Sequence, residues 1–493
     1  MTQTKKSLKL LKDIIIYGTS SVISKLLGIV LLPFYTRVFS VGDYGVMDIL
    51  TVTCTFLLLL FSFQIDQGFA FYFASSRSDG EKKAYTSTGL LFYILIFGFV
   101  SVSIFLFSLH ISDLLFNTSI FSLTVKSMAV YLFVYSLKYF LINVLKWKNK
   151  VKEYAGLSIL ETFLGFVFVI LLVGKFKMGL RGVYYAGALN ATIIGVLSFI
   201  FTIDLVAFKF LSVRRFYRML SYSWPLIFSS LAIYILQFTD RYMITKLIGL
   251  ESTGLYGMAF RLSNIVMVIL SGFQVAWGPF VLANYRDKDT PEMIRKSFET
   301  ILAISLLFLI GASLFSIEAL IVMTTKPFWW AYQLVPFVTI SIVLFTLAGY
   351  FSFGLNISKK TKDIANINFM VAILNVVLNF IGIKSFGLLG AVFATVVSFI
   401  ILFLVLISRS QKYYFVAYRW RLYSILLILT LAPLSCLVFM MPLKISLTWI
   451  IIKCFFIAII SVLMFRFGLV NKGDIILLIE KTKHKLIPKE QGA

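Results

Sequence analysis

The residues of this sequence that could do chemistry are charged side chains inside long apolar stretches. Asp240 and Arg241 are neighbours within the stretch 222–247, and Arg261 lies a few residues inside the next stretch. Lys25 lies about 13 residues into the first stretch, a depth of roughly 20 Å on a helix. Charges are costly in lipid, so these side chains are expected to face protein or water. They could neutralise a phosphate group, bind a coupling cation, or join helices as ion pairs.

The spacing of the charges separates these alternatives only in part. Asp240 and Arg241 point about 100° apart on a helix, so they cannot share one partner. Asp240 could bind a coupling H⁺ or Na⁺, or form a structural ion pair with another helix. Lys138 and Glu161 each lie about eight residues from the same loop, at equal depth on adjacent helices, which favours a structural salt bridge. The further acidic candidates for ion coupling are Asp48, Asp66 and Glu299.

Composition places these charges in a multi-pass membrane protein. The 493 residues are 60% hydrophobic and 14% charged, whereas soluble domains are about 45–50% apolar and about 25% charged. The net charge of +25 would suit nucleic acid, but the basic residues cluster in alternate loops, so membrane lipids are the expected partner. The sequence has no metal-ligand spacing, Gly-rich phosphate loop or HExxH motif. We therefore expect no metal, no cofactor and no enzymatic activity, with energy supplied by a gradient or the membrane potential.

The apolar segments predict an all-α fold with about fourteen transmembrane helices. The predicted spans are 13–35, 44–72, 87–109, 122–145, 155–174, 182–207, 222–247, 255–283, 296–317, 333–357, 366–383, 387–408, 423–441 and 447–466. Of the 46 Lys and Arg residues, 32 fall on one side of these spans and eight on the other. This asymmetry is typical of inner-membrane proteins and predicts that both termini are cytoplasmic. The basic outer loop 175–181 is not explained by it.

Three short matches predict an internal duplication. A basic segment around Lys150 recurs around Lys360, 210 residues later, and Gly182 recurs as Gly390, 208 residues later. The third match joins the Tyr-Gly pairs at 44–45 and 256–257. The offset covers six helices, so the two copies should share one topology. We predict a six-helix lobe over 1–215, a second over 216–420, and two additional helices with a cytoplasmic tail over 421–493.

Several motifs resemble one known family along essentially the whole chain. They are Ser24-Lys25-x-x-Gly28, Pro33-x-x-Thr36-Arg37, Asp240-Arg241, Ala259-x-Arg261 and Gly387-x-x-Gly390-Ala391. The chain resembles the Wzx-type polysaccharide flippases of the multidrug/oligosaccharidyl-lipid/polysaccharide exporter superfamily. The resemblance implies alternating access around a V-shaped cavity between two lobes. It also implies flipping of a polyprenyl-pyrophosphate-linked oligosaccharide to the outer leaflet, for lipopolysaccharide O-antigen, capsule or exopolysaccharide biosynthesis.

The resemblance also implies roles for basic residues and partners. Lys25 and Arg261 match positions at which related peptidoglycan-precursor flippases carry basic residues thought to meet the pyrophosphate. Arg37 and Arg241 are further candidates for binding the substrate in the cavity. H⁺ or Na⁺ would be the coupling ion, and a polysaccharide polymerase or assembly machinery would be a partner.

Two other functions stay open at this point. A drug or cation exporter of the same superfamily would need an acidic cavity, and Lys25 with Arg261 argue against one. A membrane polymerase or glycosyltransferase would need a catalytic outer loop, and the outer loops predicted here are short.

Overall fold

The computed structural model describes residues 30–148, 150–440 and 442–469, and within these ranges the chain forms helices and no strand. The first eight α-helices are α1 Leu32–Val38, α2 Val41–Phe61, α3 Ile65–Ser75, α4 Asp79–Leu106, α5 Ser108–Phe116, α6 Ser122–Trp147, α7 Val151–Val169 and α8 Gly179–Thr202. The remaining nine are α9 Val213–Leu247, α10 Leu250–Asn284, α11 Thr290–Leu314, α12 Ser316–Met323, α13 Val335–Phe351, α14 Phe353–Ile357, α15 Thr361–Tyr413, α16 Trp420–Met440 and α17 Leu447–Arg466. A π-helical turn, Ile170–Lys175, extends α7.

Twelve helical segments of the described ranges are long and apolar enough to cross a membrane. This confirms the predicted all-α, multi-pass membrane fold. Helix α15 contains two of the predicted spans, 366–383 and 387–408, and Gly387 interrupts it at φ 58° and ψ −135°. Most of the first predicted span lies outside the described residues, so the count of fourteen stays a prediction.

The predicted span 44–72 is broken in the structure. Helix α2 ends at Phe61 and α3 begins at Ile65. Phe63 and Gln64 between them have φ values of 48° and 54°, a region that residues other than glycine rarely adopt. The Ser62 side chain accepts a hydrogen bond from the Gln64 N–H at 3.2 Å, which helps to hold this conformation. The apolar run hides the break, because no glycine or proline marks it.

By packing, the described chain divides into two compact units. The N-terminal unit contains residues 30–257 with 379–388, and the C-terminal unit contains residues 258–378 and 389–469. Helix α9, which the sequence repeat assigns to the second lobe, packs against α2, α3 and α4 in the N-terminal unit. This division follows contacts, whereas the predicted division at 215 and 420 follows the sequence repeat and stays a prediction.

Within the N-terminal unit, the first turns of α2 and α10 touch backbone to backbone. A Cβ on Gly45 would overlap the Leu250 carbonyl oxygen, and a Cβ on Gly254 would overlap the Val41 carbonyl oxygen. Only glycine permits such an approach. Helix α2 starts with a capping box, in which the Asp43 N–H donates to the Ser40 side chain at 3.1 Å. The cap and the two glycines fix the start of α2, about two turns before Asp48.

Candidate functional site

Arg241 on α9 lies against Asp48 on α2. The Arg241 Nε atom is 2.9 Å from Asp48 Oδ2. That distance is typical of an ion pair, although these two atoms are not aligned for a hydrogen bond. The Arg241 side chain is 3% exposed and that of Asp48 is 21% exposed. The guanidinium carbon also lies 5.0 Å from the centre of the Phe238 ring, a cation–π distance. The pair therefore joins two helices inside the N-terminal unit.

Asp240 faces a different helix from its neighbour Arg241. Its carboxylate accepts a hydrogen bond from the Tyr256 hydroxyl of α10, and its Oδ1 atom accepts one from the Arg241 N–H at 2.8 Å. The side chain is buried. Asp240 is thus tied to α10 while Arg241 is tied to α2, as the 100° divergence of neighbouring helical residues predicts.

Two of the other three basic candidates lie within the described residues, and both are exposed. Arg261 is exposed on α10, in the C-terminal unit. Arg37 is exposed at the end of α1, where its Nη1 donates to the Pro33 carbonyl at 2.7 Å. Lys25 lies outside the described residues. The structure therefore does not test the predicted meeting of Lys25 and Arg261, and that meeting stays a prediction.

Asp66 is a buried carboxylate whose recorded partners are all uncharged. Its Oδ2 atom accepts hydrogen bonds from Gln67 Nε2 at 3.0 Å and from the Tyr139 hydroxyl at 3.4 Å. In the part of the chain that the structure describes, no Lys or Arg forms an ion pair with it. It lies in the first turn of α3, directly after the strained break at 63–64. Like Asp240, Asp66 accepts its hydrogen bonds there from neutral donors.

Glu299 lies in a polar network of the C-terminal unit. Its Oε1 atom is 2.9 Å from Arg295 Nη1 and 2.8 Å from Arg419 Nε, and it accepts a hydrogen bond from the Tyr423 hydroxyl at 2.6 Å. Arg419 also donates to the Phe467 and Gly468 carbonyls. The hydrogen bond to Glu299 raises the pKa of Arg419 above its already high ordinary value. The network joins α11 to the start of α16 and the end of α17.

Lys138 and Glu161 meet, as their equal depth suggests. The Lys138 Nζ atom is 2.6 Å from Glu161 Oε1, and it lies 4.4 Å from the centre of the Tyr135 ring. Lys138 is buried, so its charge is compensated by the carboxylate and the ring rather than by solvent.

Glu161 also borders a cavity of about 750 Å³ inside the N-terminal unit. Helices α1, α2, α6, α7 and α8 line it. Its aromatic wall consists of Tyr35, Tyr131, Tyr135, Tyr154 and Tyr184. The Tyr131 and Tyr135 rings lie 5.1 Å apart, and Asn190 supplies an amide beside them. The described residues contain no group of three or more His, Cys, Asp or Glu side chains that could hold a metal ion.

Sequence reasoning missed the Asp48–Arg241 pair and the cavity. Asp48 is seven residues from the start of α2 and Arg241 six from the end of α9, so equal depth was available as a signal. The sequence also carried a signal for the cavity, because polar or small residues recur every three or four positions along α7 and α8. They are Ser158, Glu161, Thr162 and Gly165 on α7, and Tyr184, Gly187 and Asn190 on α8.

Comparison with known proteins identifies the fold. The chain is similar to "Lipid II flippase MurJ, inward closed conformation", at 16% identity over 92% of this chain and 99% of that one, with a TM-score of 0.72. It is also similar to an inward-facing multidrug resistance MATE family transporter of the MOP superfamily, at 14% identity over 79% of this chain and 98% of that one, with a TM-score of 0.65. The outward-facing conformation of such a transporter gives 13% identity, 84% and 96% coverage and a TM-score of 0.59. No curated protein sequence matches the chain.

Two family profiles match as well. Residues 225–381 match the family described as MatE, and residues 10–285 match the family described as polysaccharide biosynthesis protein. These matches confirm the resemblance predicted from the motifs. Because the second match covers more than half of the sequence, the chain belongs to the polysaccharide biosynthesis protein family, and its fold is that of the MOP-superfamily transporters.

Proposed function

We propose that this protein is a flippase that moves polyprenyl-pyrophosphate-linked oligosaccharide from the cytoplasmic to the outer leaflet of the bacterial plasma membrane. The match of residues 10–285 to the polysaccharide biosynthesis family carries the proposal. The likeness to a lipid II flippase over 92% of the chain supports it. The product would feed O-antigen, capsule or exopolysaccharide assembly by a polymerase.

The charges of the described residues suit an anionic substrate. Asp48, Glu299 and Glu161 each have a basic partner within 3 Å. Their negative charge is thereby compensated inside the protein. A cation exporter, by contrast, needs a carboxylate that its substrate can reach. Arg261 on α10 is exposed. A diphosphate in a poorly hydrated site needs such a cation, because an uncompensated buried charge costs several kcal/mol.

Within this proposal, Lys25 and Arg261 contact the pyrophosphate. Arg241 is assigned to holding α9 on α2, because its guanidinium is buried against Asp48. Arg37 stays a candidate for the outer end of the path. Both termini are cytoplasmic, and a gradient or the membrane potential supplies the energy. Drug export is the second candidate, favoured by the MatE match over residues 225–381.

Replacing the two proposed pyrophosphate cations tests the function. We expect Lys25→Ala and Arg261→Ala to abolish surface polymer at normal protein levels and to cause lipid-linked repeat units to accumulate on the cytoplasmic side. Lys25→Arg should retain much of the polymer, because it keeps the charge. Lys126→Ala is the matched control, because Lys126 is partly exposed near the start of α6, beside the Phe105 ring.

The alanine variants test the pyrophosphate role, and a gene deletion separates the two candidate functions. Normal polymer in both alanine variants would refute the pyrophosphate role. A gene deletion that left polymer unchanged but raised sensitivity to cationic drugs would favour the drug exporter instead.

A further inference from the structure

The cavity of the N-terminal unit is large enough to hold a ligand, and the proposed roles of Lys25 and Arg261 do not involve it. Its volume of about 750 Å³ lies within the ~300–1,000 Å³ typical of small-molecule sites. All of its lining residues belong to the N-terminal unit. The cavity is therefore a feature of one packed unit.

Three threonine hydroxyls of the cavity wall present hydrogen-bond acceptors. The Thr51, Thr55 and Thr162 hydroxyls each donate to a backbone carbonyl one turn earlier, at 2.7, 3.0 and 3.0 Å. A hydroxyl whose proton is used in this way keeps its lone pairs for accepting. A ligand that donates several hydrogen bonds would match these three positions.

Asn190 adds an acceptor that is already oriented. Its Nδ2 donates to the Glu161 carbonyl at 2.9 Å, which fixes the direction of the amide. Its Oδ1 is buried and has no hydrogen-bond partner in the described part of the chain. A buried unpaired amide oxygen costs free energy, and a donating ligand would recover it.

The cavity's charges are compensated before any ligand enters. Glu161 is the carboxylate in its lining, and the Lys138 ammonium lies 2.6 Å from it. A cationic ligand would be repelled by that ammonium beside the carboxylate, so the site gives little net attraction for positive charge. The five tyrosine rings also offer a large aromatic surface, which favours an organic ligand over an inorganic ion.

From these observations we infer that the cavity binds neutral pyranose rings of the lipid-linked oligosaccharide. Sugar hydroxyls donate to the threonine oxygens and to Asn190 Oδ1. The apolar faces of the rings lie on the Tyr131 and Tyr135 side chains. The inference rests on the proposed function, and it assigns the sugar and the pyrophosphate of one substrate to different residues.

The test compares two lipids on the full-length protein in lipid nanodiscs. One probe is bare undecaprenyl pyrophosphate, and the other is the lipid-linked repeat unit extracted from the host cell. We expect wild-type protein to bind the glycosylated lipid more tightly. The double variant Thr55→Val, Thr162→Val and the single variant Asn190→Leu should each weaken that binding roughly three- to tenfold and leave the bare lipid unchanged.

Two controls bracket this result. Val130→Ala changes an exposed side chain next to Tyr131 and should leave binding of both lipids unchanged. Lys25→Ala should weaken both lipids equally, since it acts on the pyrophosphate. The threonine variants are near-isosteric, so they test the inference even if Asn190→Leu fails to fold.

Three results would overturn the inference. One is unchanged binding of the glycosylated lipid in the cavity variants, and another is equal weakening of both lipids. The third is loss of Na⁺ or tetraphenylphosphonium binding in Asn190→Leu with the sugar-dependent affinity intact, which would assign the cavity to a cation. Failure of the wild type to bind either lipid would instead refute the proposed function, and the inference with it.

Discussion

Replacing Arg241 with methionine is expected to destabilise the N-terminal unit by about 3 kcal/mol. Removing one partner of a buried ion pair costs roughly 3–5 kcal/mol, because the other charge is left uncompensated. The lower end applies here, since the Asp48 side chain is 21% exposed and solvent relieves part of its charge. Asp48→Asn should cost less, because Arg241 keeps its electrostatic interaction with Asp240.

The double-mutant cycle isolates the pair itself. Asp48→Asn combined with Arg241→Met should be more stable than the sum of the single changes predicts, by roughly 1–3 kcal/mol. The measurement is denaturant unfolding of purified protein in detergent, with the affinity for undecaprenyl pyrophosphate measured on the same samples. Lys246→Met, an exposed basic residue on the same helix, is the matched control and should change stability by less than about 0.5 kcal/mol.

One result would refute this reasoning about Arg241. If Arg241→Met kept wild-type stability but lost affinity for undecaprenyl pyrophosphate, Arg241 would be a substrate cation. The ion pair with Asp48 would then be incidental to stability.

Two further predictions follow from Asp66 and Glu299. Asp66→Asn removes a titratable carboxylate that has only neutral partners among the described residues, so it should abolish flipping driven by a pH gradient in proteoliposomes while lipid affinity changes less than about twofold; unchanged flipping would place coupling elsewhere. Arg419→Ala should lower the melting temperature, because its guanidinium joins Glu299 to the end of α17, and Arg419→Lys should not restore it, because the fork is lost. The hydrogen bond to Glu299 raises the pKa of Arg419, so the stabilisation by its charge is fully present below the ordinary arginine pKa and is lost as pH rises through the raised one. The difference in melting temperature should therefore stay constant between about pH 6 and 9. If the melting temperature of Arg419→Ala approached that of the wild type within this pH range, the stabilising role assigned to the Arg419 charge would be contradicted.

The sequence predicts the transmembrane helices well because bilayer thickness sets the length of each apolar run. It predicts interruptions only where a residue type marks them. Gly387 lies at the boundary between two predicted spans, and it carries the positive φ that divides α15. The break at Phe63 and Gln64 has no such marker, because the left-handed backbone there falls on residues that ordinarily avoid it.

The charged residues show the same limit. Depth along a helix placed Lys138 beside Glu161, because two adjacent helices share one loop and one reference plane. Asp48 and Arg241 lie on helices that are far apart in sequence, so their pairing depends on how α2 packs against α9. The close approach at Gly45 joins α2 to the start of α10, which directly follows α9, and no residue count along a single helix predicts it.

The paired and unpaired groups of the N-terminal unit suggest how one substrate could be recognised in two parts. Its ion pairs compensate charge internally, so they add little net attraction for a charged ligand. The cavity beside one of these pairs is left with acceptors and aromatic rings, which suit uncharged hydroxyl groups. On the proposed function, attraction for the pyrophosphate then depends on Lys25 and Arg261. Selectivity for the sugar depends on residues such as Asn190, and a change of sugar specificity should map to the cavity without altering the response to the carrier lipid.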